Sequence, residues 1–124
     1  MGRLKEIVFD CKHAAPLARF WAALIDGYAV RAYDDEEIAR LVALGRTPET
    51  DPVVMVDGPG PTLCFHEMER GRAQGRIHLD IAIRDRTAEV QRVVRLGASV
   101  VREAEGYTVM ADPEGNHFCL VDAG

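Results

Sequence analysis

The 124 residues are 48% hydrophobic and 28% charged, with a formal net charge of −5. That is enough chain for one real core, and its ordinary globular composition excludes a disordered tail, a collagen-like repeat and a disulfide-stapled miniprotein. The acidic excess is spread over both halves with no basic stripe, so nucleic acid is not an expected partner. No apolar run approaches the ~18 residues of a membrane span, so no membrane partner is expected either.

Cys11, Cys64 and Cys119 cannot all pair with one another, and Met1-Gly2-Arg3-Leu4-Lys5-Glu6 leads straight into a strand-like run. Free thiols and a cytoplasmic location are the expectation. Leu4 to Cys11 alternate as a strand, with Ile7, Phe9 and Cys11 on one face and Glu6, Val8 and Asp10 on the other. Pro16 suits the first turn of a helix, and Leu17, Phe20, Trp21 and Leu24 recur at helical spacing as a stripe for the core. Gly27 supplies the stop. A short strand is predicted over Tyr28–Tyr33. Asp34-Asp35-Glu36-Glu37 then opens a second helix, where acidic side chains complement the positive helix end. Ile38, Leu41 and Val42 carry its apolar face on to Leu44, and Glu36 and Glu37 are expected on a solvated face. Strands are predicted at Val53–Val56 and Leu63–Met68, joined by a turn over Asp57–Pro61. Gly58-Pro59-Gly60 lacks the lysine and following helix of a phosphate-binding loop. Glu69–Gly75 is polar and reads as a linker.

The second half restarts the pattern. Ile77–Ile83 is a strand with Ile77, Leu79, Ile81 and Ile83 on one face and His78, Asp80 and Ala82 on the other. Asp85 or Thr87 caps a helix whose stripe is Val90, Val93 and Val94 and whose stop is Gly97. Strands follow at Ala98–Arg102, Tyr107–Met110 and His117–Val121. Asp112-Pro113-Glu114-Gly115-Asn116 makes the last hairpin turn, with Pro presetting φ and Gly or Asn taking the positive φ. Each half therefore reads strand, helix, then three strands, a repeat of pattern more than of identity.

Leu17-Ala18-Arg19-Phe20-Trp21, Arg76-Ile77-His78-Leu79-Asp80, Leu96-Gly97-Ala98 and Asp112–Cys119 resemble the glyoxalase-like branch of the vicinal oxygen chelate superfamily, over nearly the whole chain. That group contains glyoxalase I, extradiol dioxygenases, fosfomycin-resistance enzymes and bleomycin-binding proteins. The resemblance implies a single α+β domain over residues 1–124, built of two βαβββ modules, about 4–69 and 76–122, whose curved mixed sheets surround a central cup. The helix at Asp34–Leu44 departs from the simplest family pattern and reads as a lid or a partner surface. The resemblance also implies a small-molecule ligand and a homodimer.

Metal-dependent members carry ligands on the first and last strands of each module. The matching positions here are Glu6, Cys64, His78 and Cys119. Cys119 stands where a glutamate is usual, and no carboxylate matches near Cys64. A tightly bound metal or other cofactor is therefore not expected, with a Cys₂-His-Glu zinc-type site as the alternative. The residues themselves suggest a ligand-binding face. His78 and Asp80 share one strand face as an acid–base or hydrogen-bonding pair. Cys64-Phe65-His66 and His117-Phe118-Cys119 mirror each other on the last strands of the two modules, with thiol and imidazole opposite the phenyl ring. Glu6, Cys64, His66, His78, Asp80 and Cys119 are thus the candidate ligand-binding residues. Two function classes fit. One is a lyase- or isomerase-type enzyme on a small oxygen-rich metabolite. The other is a non-catalytic binding protein of the bleomycin-resistance kind, whose acidic positions Glu6, Asp10 and Asp80 favour a cationic or polyhydroxylated ligand.

Overall fold

A computed structural model describes residues 1–68 and 77–123. The predicted linker Glu69–Gly75 lies outside the described residues. The class is α+β, and the order is β1 (Arg3–Cys11), α1 (Ala14–Leu24), β2 (Ala29–Val30), α2 (Asp35–Ala43), β3 (Val53–Asp57), β4 (Thr62–Glu67), β5 (Ile77–Ile83), α3 (Arg86–Arg95), β6 (Ser99–Ala104), β7 (Tyr107–Ala111) and β8 (His117–Asp122). The strand–helix–strand–strand–strand order recurs, with α2 inserted in the first copy. The chain divides into two compact units, one of residues 8–68 and one of residues 1–7 with 77–123, so β1 contributes to both. No helix among the described residues is long and apolar enough to cross a membrane.

In the unit of residues 8–68, β2, β3 and β4 pair antiparallel in that order. Phe65 of β4 is fully buried and stacks on Phe9 at 5.0 Å between centroids, and Phe9 in turn stacks on Trp21 of α1 at 6.0 Å. These rings join helix to sheet, but Phe20 and Leu24 of the expected α1 stripe stay exposed. The helix buries Ala14, Ala15 and Ala18, while Phe20 is 57% and Leu24 61% exposed. Apolar periodicity locates a helix face only coarsely, and here the small side chains, which allow close approach to the sheet, sit at its centre. The predicted strand Tyr28–Tyr33 shrinks to two residues. The backbone N–H of Arg31 still donates to the Met55 carbonyl at 2.9 Å, extending the edge by one bond.

The acidic start of α2 does more than complement the helix end. Asp34 accepts from the Glu37 N–H at 2.8 Å, and Glu37 Oε1 accepts from the Asp34 N–H at 3.4 Å, a reciprocal capping box. Glu37 is therefore a half-buried cap and not a solvated residue. Of the expected apolar face, only Leu41 is buried.

In the other unit the order is β5, β8, β7, β6, with β5 and β8 parallel and the rest antiparallel. Asp85 caps α3 by accepting from the Ala88 N–H at 3.1 Å. Ile83, Met110 and Leu120 form the core, with Ile81, Phe118, Val90 and Val93 packed against it. Val94 is exposed, as are Ile77 at 57% and Leu79 at 40%. The apolar face of β5 thus meets the helix only at its C-terminal half. In the β7–β8 turn, Asp112 Oδ1 accepts from the N–H groups of Glu114 and Asn116, each at 2.9 Å, and Gly115 takes φ +87°.

Candidate functional site

Strand alternation and one register build the site. Ile81, Ile83, Phe118 and Leu120 are committed to the α3 side of the sheet. Their neighbours therefore take the other face: His78 and Asp80 on β5, His117 and Cys119 on β8. The parallel register sets Asp80 beside Cys119, and β7 sets Val109 opposite Cys119 on the far side. Three donors converge there. A ring nitrogen of His78, a carboxylate oxygen of Asp80 and the thiol of Cys119 lie within 4.8 Å of one another, and all three residues are half-buried.

His78 Nε2 is 3.4 Å from Asp80 Oδ1. That is an ion-pair distance, long for an N–H···O hydrogen bond. The polar interaction with Asp80 and then that with Cys119 raise the imidazole from its ordinary 6.5 to about 10, outweighing the opposing effect of burial. At neutral pH the site therefore presents an imidazolium between a carboxylate and a thiol.

The remaining candidates are placed differently. Glu6 is buried and is not among the three converging donors. Cys64 and His66 belong to the other unit, where the β3–β4 register sets them beside Met55 and Val53. Cys64 is buried, and Phe65 between them points to the opposite, aromatic side. Sequence reasoning set Asp80 beside His78; what it missed is that Asp80 also meets Cys119. Its place on the His78 face is legible in the alternation, but its adjacency to Cys119 depends on a parallel register between strands 39 residues apart, Asp80 with Cys119. No local sequence signal carries that.

A family profile described as a glyoxalase-like domain matches residues 6–121. The chain belongs to the glyoxalase-like domain family. A glyoxalase/bleomycin resistance protein/dioxygenase superfamily member from Vibrio splendidus 12B01 is similar in structure, with a TM-score of 0.60 and 12% identity over 99% of this chain and 100% of that one. An uncharacterized protein from Methanosarcina mazei is similar at a TM-score of 0.54 and 9% identity, over 98% of this chain and 94% of that one. At these identities the likeness is one of fold. A search among curated proteins finds no match.

The superfamily resemblance raises a divalent metal, and this glyoxalase-like domain can be tested for it on its donors. Imidazole, carboxylate and thiol suit a borderline ion such as Zn²⁺, and three protein ligands leave a fourth position open. The residues present fit an ion of that class in type and number. The fitting set is His78, Asp80 and Cys119. It shares His78 and Cys119 with the Cys₂-His-Glu alternative raised from the sequence, and Asp80 takes part where Glu6 and Cys64 do not.

Proposed function

We propose that this glyoxalase-like chain binds a small oxygen-rich molecule against the β5–β8 face, with His78 as the group that meets a ligand oxygen. The convergence of His78, Asp80 and Cys119 carries this reading. An imidazolium held near 10 is a standing positive charge and hydrogen-bond donor at neutral pH. It is a poor proton shuttle, because a useful general acid titrates near the working pH. The arrangement therefore suits binding, or stabilising negative charge as it develops on a ligand oxygen. Lyase- or isomerase-type chemistry is the catalytic form of this reading, and sequestration without turnover is the other. If an ion of the zinc class is held by the same three side chains, it supplies Lewis-acid polarisation of that oxygen.

Two titrations followed by imidazole NMR test this. A panel of lactate, pyruvate and catechol should move the His78 ring signals, and His78→Gln should abolish the saturable response. Binding that leaves His78 and Cys119 signals in place sinks the assignment. Zn²⁺ then separates the two states of the site. A metal-bound imidazole must lose its proton, so uptake of the ion abolishes the titration near 10 and releases protons.

A further inference from the structure

Helix α2 interrupts the repeat, and it walls a cavity that the site on β5 and β8 does not use. The cavity measures about 290 Å³ and lies between α2, β3 and the loops that flank them. Its apolar wall comes from Leu41, which is fully buried, with Leu44, Val53 and Met55. Its polar groups fall into two sets. The acceptors already hold donors. Asp51 Oδ2 takes the Tyr33 hydroxyl at 2.8 Å, and Oδ1 takes the Val53 N–H at 3.0 Å. Glu37 Oε1 holds the Asp34 N–H in the capping box. The donors do not balance. The Arg40 side chain makes no hydrogen bond among the described residues, Arg46 gives one guanidinium N–H to the Thr50 carbonyl at 3.0 Å, and Arg31, also on the wall, is paired with Asp57. A guanidinium carries five N–H donors and no acceptor.

We propose that this cavity binds a small monocarboxylate with an apolar body, its carboxylate on Arg40 and Arg46 and its hydrocarbon on Leu41, Leu44 and Met55. Arg40 and Arg46 are exposed at the cavity rim, so their remaining N–H groups meet water that a ligand carboxylate can replace, and a planar carboxylate matches the guanidinium fork. Asp51 and Glu37 on the same wall disfavour a dianion, while Arg31, Arg40 and Arg46 disfavour a cation. The volume lies just under the ~300–1,000 Å³ of drug-sized ligand sites, so the ligand is small. This inference is independent of the function proposed for the β5–β8 face.

Hexanoate, hexanol and hexylammonium, titrated into isotope-labelled protein and followed by backbone and methyl NMR, test it. Hexanoate should shift the signals of Leu41, Leu44 and Met55 saturably. Hexanol should bind at least tenfold more weakly, and hexylammonium should not bind. Arg40→Gln should weaken hexanoate at least fivefold, with Arg40→Lys between the two, while the rest of the spectrum stays in place. Equal binding of hexanol, an unaffected Arg40→Gln, or hexanoate shifts confined to the β5–β8 face would each overturn the proposal. So would an acetylated hexapeptide with a free C-terminus binding more tightly than hexanoate, which would make the site one for a chain terminus.

Discussion

The last strands of the two modules carry the same three residue types in mirror order, yet they end in different chemistry. On β4, Phe65 is fully buried in an aromatic stack, and the Cys64–His66 face looks across to Met55 and Val53. On β8, Phe118 packs against α3, and Cys119 on the opposite face meets Asp80 with His78 alongside. Alternation sets which face a side chain takes in both. What differs is what the registers bring alongside: β3 sets Met55 and Val53 beside Cys64 and His66, whereas β5 sets Asp80 beside Cys119 with His78 on the same face. A reactive constellation is a property of the pairing, not of the tripeptide.

The largest effect expected from this contrast is on stability. Phe65→Ala removes a fully buried ring that stacks on Phe9, and a loss of ~3–5 kcal/mol is expected. Phe118 is only half-buried, so Phe118→Ala should cost clearly less, about 2 kcal/mol. Urea unfolding of both variants checks the order. Equal losses would mean that the two phenyl rings do equivalent work and that the units are more alike than their packing indicates.

The second effect belongs to the β8 side alone. His78 is raised from 6.5 to about 10 in the folded chain. A raised histidine contributes stability that is complete below the unfolded value and is lost as pH climbs through the folded one. Unfolding free energy should therefore fall between pH 6.5 and 10, relative to His78→Gln, which lacks the titration. The shift sets a ceiling of ~5 kcal/mol, and partial exposure of the pair brings the expectation to about 2 kcal/mol. A wild-type profile parallel to that of His78→Gln would show that Asp80 and Cys119 do not hold the imidazolium.

How much of this was legible in the sequence follows from range. The alternation in β5 and β8, the cap at Asp85 and the turn at Asp112–Asn116 rest on contacts within a few residues, and the sequence shows them. The stripe of α1 held at Trp21 and failed at Phe20 and Leu24, which obey helical spacing but are exposed, while Ala14, Ala15 and Ala18 are buried. Ile77 and Leu79 continue an apolar face past the end of the helix that would cover it. The cavity beside α2 was invisible for the same reason as the Asp80–Cys119 contact. Arg40, Arg46 and Asp51 come together only through the packing of helix on strand.

Thiol reactivity offers a third comparison. Cys119 is half-buried beside an imidazolium, whereas Cys64 is buried next to Met55. Cys11 is buried too, and burial, with the Glu67 and Asp10 carboxylates, pushes its thiol up. Iodoacetamide at pH 7.5 should alkylate Cys119 at least tenfold faster than either, because the thiolate is the nucleophile and needs access. Peptide mapping against time reads this directly. Preferential labelling of Cys64 would reverse the assignment of the accessible face.

The smallest effect sets the two capped helices against each other. Asp34 and Asp85 both cap through an N–H three residues on, and loss of such a cap costs ~1 kcal/mol. The cost should be felt in different places. Helix α3 is anchored by Val90 and Val93 on a core of Ile83, Met110 and Leu120, so fraying it disturbs what holds its unit together. Asp85→Ala should therefore lower the global unfolding free energy by about 1 kcal/mol. Helix α2 buries only Leu41, although its capping box is the more complete of the two. Asp34→Ala should open α2 locally, cutting hydrogen-exchange protection around Leu41 by about fivefold while the denaturant midpoint stays nearly fixed. It should also weaken hexanoate binding, because Arg40 and Leu41 sit on the helix it loosens. If both variants instead shift the midpoint equally, α2 is as much a part of its unit's cooperative core as α3 is of the other.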